Sequence, residues 1–150
     1  MSVVFRPMLA GDLVQLDLQH SQARQIETFG GDVDLFAKGA ELAAIGDAWT
    51  ATSDRRIIAI GGFLEQFPTE AVAWIALARD VEPRDGLAVT LHARREVLGS
   101  RYLRLETTVA AEDDRAVAWA GAIGLSPVHV MRNKGPDAST QILFERVKWA

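Results

Sequence analysis

The sequence predicts an α/β protein: a mixed central sheet of about seven strands with helices on both faces. Three observations carry this. Glu70 to Ala78 is a nearly continuous apolar run of strand length, as expected for a strand covered on both faces. It is followed by a polar stretch with Pro83 and Gly86, then a helix-period segment from Leu87 to Gly99, then the partly alternating strand Tyr102 to Val109. Strand, helix and strand in that order predict a right-handed parallel crossover. The three strands joined by short turns, the last of them opening at Glu70, predict antiparallel neighbours.

Taken in order, Val3-Val4-Phe5 is a short strand that Arg6-Pro7 should end, because proline cannot donate to a ladder. Asp12 is placed to cap a helix carrying Leu13, Leu16 and Leu18, running to about His20–Arg24. Glu27 to Asp32 reads as a loop. Asp34 can cap a second helix with Leu35, Phe36, Leu42 and Ile45 on its apolar face, ending near Gly46. Ala48 to Thr52 and Arg56 to Glu65 read as strands around a turn at Ser53-Asp54-Arg55. Gly61-Gly62 marks a bulge or a close backbone approach. Gln66 to Thr69 turns the chain into the strand at Glu70.

The polar stretch from Arg79 to Gly86 reads as a loop, and Leu87, Leu91, Arg94/Arg95 and Leu98 recur at helical spacing after it. Gly99 sits where a C-terminal cap belongs. Glu112-Asp113-Asp114 opens a further helix with acids at its positive end, and Gly124 closes it. Val128 to Met131 and Ile142 to Val147 are two last strands, joined as a hairpin through Asn133 to Asp137. The order is β-α-α-β-β-β-α-β-α-β-β.

The totals exclude several functions. The chain has 150 residues, 49% apolar and 24% charged, which fits one globular domain over residues 1–150. A net charge of −4 argues against a nucleic-acid surface, which needs clustered Lys and Arg. With no cysteine there is no disulfide, thiolate metal site or Cys nucleophile, and a reducing compartment is expected. The start of the chain lacks a basic region followed by a long apolar one, and no apolar run could span a bilayer. A protein that is neither secreted nor membrane-bound is therefore expected. His20, His92 and His129 lie on different elements without metal-ligand spacing, so no metal site is expected. Glu106 lies in a buried-looking strand and calls for an arginine partner. Trp149, near the end of the chain, is a candidate to dock on a partner or a sheet edge.

The element order, with these lengths, resembles the GNAT N-acetyltransferase superfamily over the whole chain. Val81-Glu82-Pro83 looks like the Val-x-Pro that follows that family's fourth strand. Leu103-Arg104-Leu105-Glu106 looks like its fifth strand, and Ala116 through Gly124-Leu125 like the helix after it. More narrowly, Trp74, the run Arg94-Arg95-Glu96-Val97-Leu98 and Trp119 are similar to small GNAT-like proteins encoded among phage virion genes. The resemblance implies acyl transfer from acetyl-CoA to an amine. In that case backbone groups of Ala76, Leu77 and Ala78 would pair with the pantetheine arm. Arg79, Arg84 and Gly86 would meet the pyrophosphate at a helix start, where unpaired N–H groups can hold an anion. Glu70 would be the general base. The narrower likeness implies a non-catalytic virion or assembly protein, with partners in a phage particle or a second copy of the chain, located in the host cytoplasm or the virion.

Two positions depart from the family's pattern. Its phosphate-cradling glycines fall on Val89 and Leu91, and its acidic tyrosine falls on Ala120. Trp119 beside that position cannot act as an acid at neutral pH.

Overall fold

The computed structural model describes residues 2–17 and 34–148. The expected segments around His20 and from Glu27 to Asp32, and Trp149, lie outside the described residues. The elements are β1 (Val4–Pro7), α1 (Asp12–Gln15), α2 (Leu35–Ile45), β2 (Ala48–Ser53), β3 (Arg56–Phe67) and β4 (Glu70–Leu77). After them come α3 (Pro83–Leu98), β5 (Arg104–Ala110), α4 (Asp114–Ala122), β6 (Ser126–Lys134) and β7 (Ser139–Val147). The strands form one seven-stranded mixed sheet, ordered β1-β2-β3-β4-β5-β7-β6. The β4–β5 ladder is parallel, as the crossover requires, and the ladders β1–β2, β2–β3, β5–β7 and β6–β7 are antiparallel. No described helix is long and apolar enough to cross a membrane.

The chain divides into two compact units, one of Met1–Leu64 with Trp74–Val89, the other of Glu65–Ala73 with Thr90–Ala150. In the first unit, Met8, Leu13, Leu16, Leu42, Ile57, Ile60, Ala76 and Ala78 form one buried cluster, against which Trp74 packs. A second cluster gathers Ala51, Ile58, Ala59 and Val89, with Ile75 and Leu77 against it. Alternate residues of β4 thus feed two cores, which is why its sequence is apolar without alternation. In the second unit the buried side chains include Val97, Tyr102, Leu105, Ala120, Ile123 and Phe144.

Local chemistry explains the boundaries. The Asp34 carboxylate accepts from Ala37 N–H at 3.0 Å and starts α2. Gly46 ends α2 in the left-handed region at φ 85°. Asp113 caps α4 by accepting from Ala116 N–H. Several expectations are corrected. Arg6 and Pro7 belong to β1 and pair with Thr50 and Trp49, which an edge strand tolerates. The first helix ends at Gln15, with Leu16 extended. Asp12 is not its cap, since its carboxylate turns to Arg6 and Thr50 instead. Phe36 and Ile45 are exposed, and α2 buries Gly39 and Leu42. On α3 the buried stripe is Asp85, Val89, Ala93 and Val97, while Leu87, Leu91 and Leu98 are exposed.

Candidate functional site

In the first unit the site residues lie at the end of β4 and the start of α3. Ala76 and Ala78 are buried, and Ala78 N–H donates to the Ile58 carbonyl at 2.9 Å. Arg79 N–H donates to the Asp17 carbonyl at 2.8 Å, and its guanidinium Nε stands 3.5 Å from Asp17 Oδ1. The Arg79 carbonyl in turn accepts from Arg56. Arg79 is therefore already engaged on both its main chain and its side chain.

The expected loop from Arg79 to Gly86 is shorter than the sequence suggests, because α3 begins at Pro83. A proline with its fixed φ suits the first helical position, so Pro83 starts the helix rather than breaking it. Arg84 and Gly86 consequently lie in the first turn. Gly86 N–H donates to the Glu82 carbonyl at 2.9 Å. Arg84 Nε stands 3.6 Å from Glu82 Oε2 and 3.9 Å from Asp85 Oδ1. Pro83 has no N–H to offer. Two carboxylates, Glu82 and Asp85, therefore occupy the positive end of α3, where a phosphate would need free donors and no competing anion. Val89, at a glycine position of the resemblance, is 1% exposed and fills the second core. These residues do not fit the pyrophosphate of coenzyme A.

In the second unit Glu70 opens β4 opposite Arg104. Arg104 is the centre of an ion cluster. It donates to Glu106 Oε2 from Nε at 3.2 Å and from Nη2 at 2.8 Å, and from Nη1 to Glu145. Its Nε is 3.8 Å from Glu70 Oε1, a charge contact beyond hydrogen-bond length. The hydrogen bond to Glu106 chiefly, then Glu145, raises the Arg104 pKa against the opposing effect of burial. Glu70 is the carboxylate held most loosely of the three. The partner expected for Glu106 is Arg104. Glu145 was not singled out by the sequence, where it reads as one polar residue in a last strand; only the register Glu106↔Glu145 reveals it.

The β4–β5 ladder has three pairs, Glu70↔Arg104, Ala71↔Leu105 and Val72↔Glu106. Past Val72 the two strands share no ladder pair among the described residues. Ala120, at the tyrosine position of the resemblance, is 1% exposed. Trp119 Nε1–H beside it donates to Thr90 Oγ1 at 3.0 Å. The only tyrosine, Tyr102, is buried, and its hydroxyl donates to Glu65 Oε1 at 3.1 Å. His92 lies 3.8 Å from Glu96, with its pKa lowered mainly by burial. Among the described residues no group of three or more His, Asp or Glu side chains could hold a metal.

No family model and no curated protein matches the sequence. Solved structures do match its fold. Ard1 from Thermoplasma volcanium superposes with a TM-score of 0.74 at 14% identity, covering 100% of both chains. A GNAT family acetyltransferase from Bacillus cereus gives 0.71 at 13% identity, again over 100% of both chains. The protein yncA from Salmonella typhimurium, solved with its cofactor acetyl-CoA, gives 0.73 at 8% identity over 98% of this chain and 94% of that one. At such identities the likeness reports architecture, and the architecture of this chain is the GNAT acetyltransferase fold.

Proposed function

We propose that the protein is an acyltransferase-like member of that fold, which takes an acyl thioester along β4 and passes the acyl group to an amine. The observation that supports the reading is the seven-stranded mixed sheet, which superposes on solved acetyltransferases. An extended ligand bearing amides can hydrogen-bond along a strand as a further strand would. Pantetheine is such a ligand. Ala76 and Leu77 at the end of β4, with Ala78 just past it, are the stretch assigned to it. Glu70 is the group assigned to take the proton from the acceptor amine, and its loose tie to Arg104 supports that role. The departing thiolate would take its proton from water, since Ala120 has none to give.

The test is thiol release from S-acetyl thioesters with a panel of amine acceptors, alongside thermal melting. A thioester at a hundred times its dissociation constant adds about 2.7 kcal/mol of stability. Glu70→Gln should abolish thiol release while leaving the thioester-induced melting shift in place. No shift with millimolar acetyl-CoA or S-acetyl-pantetheine would sink this reading.

The buried Ala120 at the tyrosine position supports a second reading, a non-catalytic GNAT-fold protein, and the sequence resemblance alone suggests that it serves phage particle assembly. Co-purification with particles would support it. A chain found free and absent from purified particles would count against it.

A further inference from the structure

We infer that the start of α3 rejects the pyrophosphate of coenzyme A, so that the acyl donor is a pantetheine-type thioester recognised without its nucleotide end. The inference rests on the acyl-transfer reading above and narrows its donor. A helix start that binds phosphate needs free N–H groups, room for the anion and no anion already present. Here Pro83 has no N–H, and the Gly86 N–H is bonded to Glu82. With Gly86 making the first bond of the helix, the first turn offers at most the N–H groups of Arg84 and Asp85.

Room exists but is not decisive. A Cβ at Gly86 would meet nothing, so packing does not require glycine there. The charge decides. Glu82 and Asp85 place two carboxylates in or beside the first turn, and Arg84 stands 3.6 and 3.9 Å from them. The nearest base is thus already paired with the chain's own acids. Asp85 is 7% exposed, so water and salt screen it little. The attraction of the helix end for negative charge is taken up by Asp85, and a pyrophosphate would meet like-charge repulsion. The pantetheine arm is uncharged, with amides and a thioester, so the same residues do not oppose it.

The experiment is calorimetric titration of the full chain with acetyl-CoA and with S-acetyl-pantetheine. Acetyl-CoA should bind no more tightly than S-acetyl-pantetheine, because the nucleotide end contributes no net binding and meets repulsion. Asp85→Asn should tighten acetyl-CoA by about tenfold and leave S-acetyl-pantetheine unchanged, since only the former carries phosphates near the removed charge. Should Asp85→Asn fail to fold, Glu82→Gln at an exposed position is the second variant, with a smaller gain of the same sign. Wild-type affinity for acetyl-CoA about tenfold or more above that for S-acetyl-pantetheine would overturn the inference and leave the acyl-transfer reading standing. Binding of neither thioester would overturn both. A wild-type affinity for acetyl-CoA no higher than for S-acetyl-pantetheine, with no gain in any folded variant, would remove the two carboxylates as the cause, and the inference with them.

Discussion

Glu106 and Glu145 face each other directly across the β5–β7 ladder, and both are tied to the one guanidinium of Arg104. Like charges directly opposite in a sheet are destabilising unless a counter-ion sits between them. Arg104 supplies it, and reaches Glu70 as well. Arg104→Met should therefore cost more than a surface pair does, on the order of 1–3 kcal/mol, because it leaves partly buried carboxylates facing each other. The cost should be smaller in a Glu145→Gln background, where only one charge of the facing pair remains. Urea denaturation of Arg104→Met in the two backgrounds checks this. An equal cost in both would show that repulsion is not the cause.

Asp12 offers a second, independent test. It is 3% exposed and accepts from Arg6 through both oxygens, at 2.8 and 3.0 Å, from Leu9 N–H at 2.8 Å and from Thr50 Oγ1 at 2.7 Å. Burial alone would raise its pKa. The hydrogen bonds from Arg6, Leu9 and Thr50, with the charge of Arg6, outweigh burial and lower it. A carboxylate lowered in the folded state contributes stability above its unfolded pKa, about 3.9, and loses it as pH falls through the folded value. Asp12→Asn should cost about 2–4 kcal/mol at pH 7 and distinctly less at pH 2–3. Denaturation midpoints measured across that range decide the point.

The same residue marks the limit of what was legible. An aspartate ahead of a helical pattern reads as a cap, and at Asp34 that reading holds, because a cap is a local bond three residues long. Asp12 has instead a partner 38 residues away in Thr50, which no local pattern encodes. The start of α3 failed for a related reason. Pro83 can break a segment or begin a helix, and only the Gly86-to-Glu82 bond shows which. The stripe of leucines at 87, 91 and 98 gives the helix its period, but the smaller stripe of Val89, Ala93 and Val97 is the one that packs. The order of elements along the chain and the parallel β4–β5 pair were legible from apolar runs and connection lengths, whereas the place of β7 between β5 and β6 was not read.

Gly61-Gly62 is a case where two alternatives were open and packing chose one. The register shift of this ladder lies at Ala51/Thr52, where Ala51 pairs Ala59 and Thr52 pairs Ile57, so the glycines are not the bulge. They are a close approach. A Cβ on Gly62 would lie 2.3 Å from the Asp47 carbonyl oxygen, and one on Gly61 would lie 2.6 Å from the Trp49 ring. Trp49 is itself held edge-on to Phe5, with ring centres 5.9 Å apart. Gly62→Ala must move backbone, so it should cost at least about 2 kcal/mol and lower the melting temperature more than Gly61→Ala, which displaces a side chain. The reverse ranking would show that the Trp49 ring, not the Asp47 carbonyl, is the rigid wall.

Ala120 gives the last prediction, and it bears on activity. Putting a tyrosine there would restore the acid that the resemblance leads one to expect, so Ala120→Tyr is an obvious attempt to raise turnover. The structure argues otherwise. Ala120 is 1% exposed, and its carbonyl accepts from Leu125 N–H at 3.2 Å, so the position lies inside the packing of α4. A phenol there has no room, and overpacking of this kind costs about 1–3 kcal/mol or more. The hydroxyl would also need a partner once buried. The expected outcome is a lower melting temperature with no gain in thiol release from S-acetyl thioesters. A gain in release at unchanged stability would mean that α4 shifts to admit the ring, and that the acid site is vacant rather than filled by packing.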